Sequence, residues 1–123
     1  MTDPLVLRLR LREYALGLPE AWEDHPWGET VAKVRKKVFV FLGSDGSAEP
    51  RVWVKLTESQ PLALAQPGVS PAGYNLGRSG WVDVRLSGET SFEMLREWID
   101  ESYRAVAPRA LGDRLAGRRQ ACR

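Results

Sequence analysis

The sequence predicts a small α+β domain, in which helices from both ends of the chain pack on one face of an antiparallel β-sheet. Apolar residues recur at helical spacing near each end, and the middle holds short β-branched and aromatic runs separated by turn residues. The length of 123 residues and the hydrophobic content of 43% fit one domain with one core. We assign this domain to residues 1–116 and expect residues 117–123 to form a flexible basic tail.

The first segment is predicted to be a helix that begins at Asp3 and Pro4, a capping carboxylate followed by a proline where no N–H is needed. The residues that would form its buried stripe are Leu7, Leu11, Tyr14, Ala15 and Leu18. Leucine and arginine also alternate over residues 7–12, as they would in a strand, but residues 13–16 favour the helix. Gly17 is expected to end it.

The middle of the chain is predicted to contain strands at 30–35, 38–42, 51–56 and 81–86. The first three would form an antiparallel meander, with a turn at 43–46. Residues 57–68 are expected to hold at most a short helix. The glycine-rich stretch 71–80 is expected to be an ordered loop with a little strand.

A long amphipathic helix is predicted to begin near Ser91, because Thr90 and Glu93 have the spacing of a capping box. Its inner stripe, apolar apart from the serine, consists of Phe92, Leu95, Trp98, Ile99, Ser102, Tyr103 and Val106. Pro108 would end this helix or open a second short one that reaches about Ala116.

Residues for catalysis or metal binding are scarce. The sequence holds one histidine, His25, and one cysteine, Cys122, which lies in the tail. The acidic residues around His25 lack the second histidine of a metal-binding helix, and no glycine pattern typical of a phosphate-binding loop occurs. We therefore expect no catalytic residues, no metal and no cofactor, and we expect that the protein is not an enzyme. Trp22 and Trp27 are expected to hold the intervening acidic loop on the body through bonded indole N–H groups.

The cysteine count indicates the cellular compartment, and the charge distribution indicates which classes of partner are compatible with the chain. A lone cysteine favours the reducing cytoplasm, and no apolar run approaches the roughly 20 residues that cross a bilayer, so no membrane partner is expected. Residues 104–123 carry six arginines and one acid, Asp113, a charge of +5, which leaves −3 for residues 1–103 because the whole chain has +2. Such a tail would suit nucleic acid or an acidic surface, or it would simply be solvated.

The alternation of two strands carries the functional prediction. Because successive side chains of a strand point to opposite faces, one face should hold Val52, Val54, Leu56, Val82, Val84 and Leu86. The other face should hold Arg51, Trp53, Lys55, Trp81, Asp83 and Arg85. Tryptophans interleaved with cations suit base stacking and phosphate pairing, an ordinary exposed sheet face, or a dimer interface. The composition supports all three.

The order of several short motifs resembles the MmcQ/YjbR family. They are the segment 18–28, which begins with Leu-Pro, continues with acidic residues and ends with Trp-Gly, the Lys-Val pattern of 33–39, Val-Lys-Leu at 54–56, the glycine-rich stretch 71–81 and Ser102-Tyr103. The resemblance covers about residues 7–115. Asn75 stands where the family often has a histidine, although a cation is retained as Arg78. The resemblance implies an α+β fold similar to secretion-chaperone-like and CyaY-like folds, and the description "double-wing DNA-binding".

The first functional hypothesis is a DNA-binding module with no catalytic activity. Its contact residues would be Arg51, Trp53, Lys55, Arg78, Trp81 and Arg85, with the arginine tail adding phosphate contacts. The alternative is a protein–protein or small-ligand module that uses the same face, with a homodimer as one form. An enzyme would instead need a pocket where Glu23, His25 and Asn75 converge.

Overall fold

A computed structural model describes residues 3–44, 49–73 and 75–121 of the chain. The helices are α1 (Pro4–Leu16), α2 (Gln60–Leu64), α3 (Phe92–Val106) and α4 (Arg109–Ala121). The strands are β1 (Ala21–Asp24), β2 (Val31–Val34), β3 (Lys37–Phe41), β4 (Arg51–Lys55), β5 (Val69–Pro71) and β6 (Trp81–Arg85). Single 3₁₀ turns lie at Pro26–Gly28 and Leu76–Ser79.

The described strands form a six-stranded sheet in the order β1-β2-β3-β4-β6-β5, and every neighbouring pair is antiparallel. Helix α3 packs on β3 and β4, and α1 packs on β1, β2 and α3. The core between them includes Leu11 of α1, Val54 and Val82 of the sheet and Ile99 of α3, all 0% exposed. The predicted α+β class, with helices from both ends on one face of an antiparallel sheet, is therefore confirmed.

Helix α1 begins as the sequence predicts and is not a strand. The Asp3 carboxylate accepts a hydrogen bond from the Leu5 N–H at 2.9 Å. The buried Arg8 donates to the carbonyls of Leu42 and Gly43, at 2.6 and 3.1 Å, and so joins the helix to the end of β3. The alternation resembles a strand because Leu5 and Leu9 are apolar although they are exposed on the helix surface. Apolar character therefore does not indicate burial at these two positions.

A β-bulge lies in β3 at Phe39. In the register of β2 and β3, Ala32 pairs with Val40 and Lys33 pairs with Val38, so Phe39 has no partner. The extra residue reverses the alternation, as bulges do, and both Phe39 and Val40 are fully buried. Phe41 is thereby placed opposite Trp53, on the sheet face away from α3.

Ser102 of α3 bonds the backbone next to the bulge. Its Oγ donates to the carbonyl of Phe39 and accepts from the N–H of Lys55 at 2.8 Å. The pairing of β3 with β4 is limited to Val40 with Val54 and Phe41 with Trp53, so these two backbone groups lie beyond the paired residues. The one polar residue of the predicted apolar stripe therefore has a structural role.

Several local predictions are corrected. Glu23 and Asp24, interpreted as part of an acidic loop between Trp22 and Trp27, belong to the edge strand β1. The N-cap of α3 is Ser91, whose Oγ accepts from the Met94 N–H, whereas Thr90 bonds back to Ser87, so the capping box at Thr90 and Glu93 is wrong. Helix α4 runs to Ala121 rather than to about Ala116. The predictions for the side chain of Trp27 and for Cys122 lie outside what the structure describes.

Among the described residues, no helix is long and apolar enough to cross a membrane.

Candidate functional site

The register of β4 and β6 brings most of the predicted contact residues onto one face. Arg51 pairs with Arg85, Trp53 with Asp83, and Lys55 with Trp81. The residues between them, such as Val52 and Val84, are buried in the helix-covered core. The alternation inferred from the sequence is thus correct, and the side chains of the first set lie on the face away from α1 and α3.

The centre of this face is a cluster of three aromatic rings. The ring centroid of Phe41 lies 5.7 Å from that of Trp53 and 5.3 Å from that of Trp81, both edge-to-face. Trp81 is only 7% exposed, whereas Trp53 is partly buried. Trp81 therefore supports the cluster from below, and Trp53 is the tryptophan of the pair that retains accessible surface.

Carboxylates accompany the cations at one end of the face. Arg51 Nη1 lies 3.0 Å from Asp83 Oδ2, and its Nη2 lies 3.8 Å from Glu49 Oε2. Arg85 Nη2 lies 4.0 Å from the same oxygen of Glu49. These carboxylates therefore partly neutralise the positive charge of Arg51 and Arg85. The strand alternation placed Asp83 on this face, but it did not predict the contacts of Glu49.

Asp83 is the most confined charged group of the face. Its side chain is 13% exposed. Its second oxygen, Oδ1, is buried and has no hydrogen-bond partner among the described residues. A buried acceptor without a donor is costly, and such atoms are uncommon in folded proteins.

Lys55 and Arg78 differ from Arg51. Lys55 is partly buried and Arg78 is exposed, and neither forms an ion pair within the described part of the chain. Lys55 and Arg85, whose side chain is 54% exposed, are the cations of this face with the most freedom to meet an external group, whereas Arg78 lies on the 3₁₀ turn before β6 and outside the paired residues of β4 and β6.

A cavity of about 740 Å³ opens on this face. It is lined by Pro26, Glu29, Phe41, Gly43, Arg51, Trp53, Leu76 and Asp83. The 3₁₀ turns that contain Pro26 and Leu76 contribute to its walls, so the face is concave rather than flat. The size lies within the range of about 300–1,000 Å³ that is typical of small-molecule sites.

Gly73 and Gly80 shape the loop beside this cavity. A Cβ on Gly73 would lie 3.9 Å from the outer edge of the Trp53 indole, so the loop passes close to that ring. Gly80 has φ +101° and its carbonyl accepts from the N–H of Leu56 at 3.0 Å, which fixes the end of the loop against the strand that carries Trp53.

The acidic segment forms a separate group of contacts at the sheet edge. Trp22 Nε1 donates to the carbonyl of Arg35 at 2.8 Å, as predicted for a bonded indole, and Lys33 Nζ lies 2.7 Å from Asp24 Oδ2. Salt bridging to Lys33 is foremost among the causes that hold the pKa of Asp24 below its usual value. His25 Nε2 lies 3.1 Å from Glu23 Oε1 and its side chain is 55% exposed.

Neither His25 nor Asn75 is among the residues that line the cavity, although each adjoins one that does. Among the described residues, no group of three or more histidine, cysteine, aspartate or glutamate side chains is arranged to hold a metal ion.

Five lining residues were missed in the sequence: Pro26, Glu29, Phe41, Gly43 and Leu76. Simple alternation from Val38 would place Phe41 with Phe39, and only the bulge separates them. The other four lie in turns and loops, whose path over the sheet depends on tertiary packing.

Fold and site together define a small α+β domain with an aromatic-walled cavity on the sheet face that the terminal helices leave uncovered. The chain belongs to the YjbR family, because the family model described as YjbR matches residues 16–105, more than half of its length. The resemblance found in the sequence is confirmed. No curated protein matches the chain.

Similar solved structures include a Deinococcus radiodurans protein and a Pseudomonas syringae protein. The crystal structure of the Deinococcus radiodurans protein DR2400, with a DUF419 domain, has a TM-score of 0.70 and 26% identity, and the match covers 86% of this chain and 82% of that one. The crystal structure of a Pseudomonas syringae protein has a TM-score of 0.61 and 22% identity, covering 77% of this chain and 94% of the other. The second similarity concerns the fold alone.

Proposed function

We propose that this YjbR-family protein is a non-catalytic binding module whose ligand is a small molecule held in the cavity beside Trp53 and Phe41. The observation that carries the proposal is the cavity of about 740 Å³, which combines aromatic walls with the Arg51–Asp83 ion pair in its lining. Apolar walls with a few fixed polar groups are the usual composition of small-molecule sites.

The environments of Trp81 and Arg51 favour a concave ligand site rather than a flat surface on which bases stack. Trp81 is 7% exposed and Arg51 pairs with Asp83, so a tryptophan and a cation of the predicted nucleic-acid surface are already engaged within the protein. Trp53 and Phe41 remain at the cavity wall. An aromatic ligand entering there would contact these rings and leave the core undisturbed.

The test is nuclear magnetic resonance of the tryptophan indole N–H groups during titration with three soluble aromatic probes: indole, benzoate and adenosine. At least one probe is expected to shift the Trp53 resonance in a saturable way, and Trp53→Ala should weaken its binding at least about tenfold because a large contact area is lost. Trp22→Ala is the matched control, since Trp22 lies on β1, outside the cavity lining.

If none of the three probes perturbs the Trp53 resonance at concentrations up to about 10 mM, the proposal is contradicted, because binding that needs a higher concentration is too weak for a specific site. Equal weakening by Trp22→Ala would contradict it as well. Light scattering on the same samples shows whether a second copy covers this face: a dimer that Trp53→Ala dissociates would support a homodimer interface in place of a ligand site.

A DNA-binding function is the second candidate, and three cations favour it. Lys55 and Arg85 lie on the β4–β6 face that carries the tryptophans, and Arg78 is exposed on the 3₁₀ turn before β6. Phosphate contacts from such side chains make affinity fall steeply with salt. A cytoplasmic location, which we also propose because the single cysteine of the sequence favours a reducing compartment, suits either function.

The DNA test uses single-stranded and duplex oligonucleotides across a salt series. The triple variant Lys55→Ala, Arg78→Ala, Arg85→Ala should lower affinity and flatten the salt dependence, whereas the control variant Arg35→Ala, Lys36→Ala, Lys37→Ala removes the same charge from exposed positions around the β2–β3 turn. Equal effects of the two triple variants, or no binding at low salt, would count against DNA binding through this face.

A further inference from the structure

From the polar groups of the cavity we infer that its ligand is a neutral, planar heteroaromatic ring with an amino group, of the nucleobase kind. The inference rests on the proposed small-ligand function and specifies its ligand. It depends on the unsatisfied oxygen of Asp83, on the charge balance of the lining and on the aromatic walls.

Asp83 supplies the acceptor. Its Oδ2 is engaged by Arg51 Nη1 at 3.0 Å, while Oδ1 is buried without a hydrogen-bond partner in the described part of the chain. The residue lines the cavity. Because Oδ1 has almost no surface accessible to water, a ligand that enters beside it must displace the groups that cover it in order to donate an N–H. A charged acceptor makes such a bond stronger than one between neutral groups.

The charge balance favours a neutral donor. Arg51 already compensates Asp83, so a second cation would approach the guanidinium as well as the carboxylate. An anion would meet Asp83 and the exposed Glu29, which also lines the cavity. An uncharged amino group donates to Asp83 without either repulsion.

The walls favour a flat ring. Trp53 and Phe41 present aromatic surface to the cavity, and Pro26 and Leu76 add apolar surface from the two 3₁₀ turns. Planar heterocycles stack on aromatic side chains whatever their hydrogen-bonding edge. The volume of about 740 Å³ leaves room beyond the ring for a substituent such as a sugar. Stacking would therefore give affinity, and Asp83 would select the amino-bearing ring.

Two pairs of nucleosides isolate the amino group without altering the protein. Adenosine differs from purine riboside, and guanosine from inosine, only by an amino group. By calorimetry or fluorescence titration, the amino-bearing member of at least one pair is expected to bind about tenfold more tightly than its partner, since the donor meets a charged acceptor. Equal binding within both pairs overturns the inference and leaves the proposed small-ligand function standing.

Two variants distinguish the selection of the amino group by Asp83 from the stacking of the ring on Trp53. Asp83→Asn should reduce the amino preference to less than about threefold, because the charged acceptor is lost. Trp53→Ala should weaken all four nucleosides alike and leave the preference unchanged. Thermal unfolding of each variant checks its fold, and the nucleoside pairs remain decisive if Asp83→Asn does not fold. Persistence of the preference in a folded Asp83→Asn protein would overturn the inference.

The source of the ring is settled by comparing the free nucleoside with a four-nucleotide strand of the same base. Tighter binding of the strand, lost at high salt, supports a base presented by nucleic acid; binding of the nucleoside without a gain from the strand supports a free small molecule. In both results the amino preference must persist. If none of the nucleosides, indole or benzoate binds, the proposed function fails together with this inference.

Discussion

Arg51 of β4 and Asp83 of β6 form a diagonal ion pair across neighbouring strands, with Nη1 3.0 Å from Oδ2. Diagonal neighbours on one face of an antiparallel pair lie within reach of long side chains such as arginine. Because the aspartate is 13% exposed and the arginine 39%, the pair lies between the core and solvent at the wall of the cavity. It links the stability of the sheet to the chemistry of the candidate site.

Arg51→Ala is expected to destabilise the fold by about 1–2 kcal/mol, because Asp83 would lose the donor to Oδ2 while Oδ1 already lacks one. Arg85→Ala is the matched control: Arg85 is the cross-strand partner of Arg51, but its side chain is 54% exposed, so its loss should cost less than about 0.5 kcal/mol. Urea unfolding measures both. Similar values for the two variants would show that the ion pair contributes little.

Ser102→Ala is expected to cost about 1–3 kcal/mol, since it leaves the carbonyl of Phe39 and the N–H of Lys55 without the side chain that joins them. Ser102 is fully buried, so water does not simply replace the hydroxyl. Ser70→Ala, an exposed position on the edge strand β5, should change stability by less than about 0.5 kcal/mol. Chemical denaturation of both proteins provides the measurement, and an unchanged Ser102→Ala protein would refute the bridging role.

Glu101 should make stability depend on pH. Partial burial raises the pKa of its carboxyl, but hydrogen bonds from Ser59 Oγ and from the N–H groups of Glu58 and Ser59 outweigh burial and lower the pKa below its ordinary 4.5. A lowered pKa in the folded state means that the carboxylate stabilises the fold above the unfolded value and ceases to do so as the pH falls below it.

The measurement is the free energy of unfolding of wild type and Glu101→Gln between neutral pH and pH 3. The difference between them should be largest above about pH 5 and should shrink as the pH falls through the region below 4.5. Glu97→Gln, an exposed glutamate on the same helix, should track the wild type. A difference that is constant with pH would exclude the ionised carboxylate as its source.

The fold could be predicted to the extent that local patterns and burial agree. Asp3 and Pro4 define the start of α1, and Leu11 and Ile99 lie in the core where helical spacing places them. Strand β1 was missed because its four residues, which include Trp22 and Asp24, lie at a sheet edge where little is buried and no alternation appears. Such a strand exists because β2 offers it a hydrogen-bonding partner, and local sequence does not encode that partner.

The site could be predicted only in part for a related reason. Period-two alternation placed Trp53 and Asp83 on the outer face correctly, because β4 and β6 are regular. The cavity additionally depends on the bulge at Phe39, which moves Phe41 to that face, and on turns that bring Leu76 over it. The burial of Trp81 follows from this packing, and strand periodicity alone gives only its face.

Gly80→Ala tests whether the loop beside the cavity requires a glycine at its end. A Cβ at this position would lie 2.5 Å from the carbonyl oxygen of Leu56, and φ is +101°, where other residues are strained. The substitution is expected to cost roughly 2–5 kcal/mol, combining backbone strain with the displacement of β4 or the loop. Gly17→Ala is the control, because its φ is −81° and the nearest atoms to a Cβ are 3.5 Å away. It should be neutral or stabilising by up to about 1 kcal/mol. If Gly80→Ala unfolds at the same urea concentration as wild type, the close approach to Leu56 does not constrain the loop, and the position of Gly73 beside Trp53 must be fixed by other contacts.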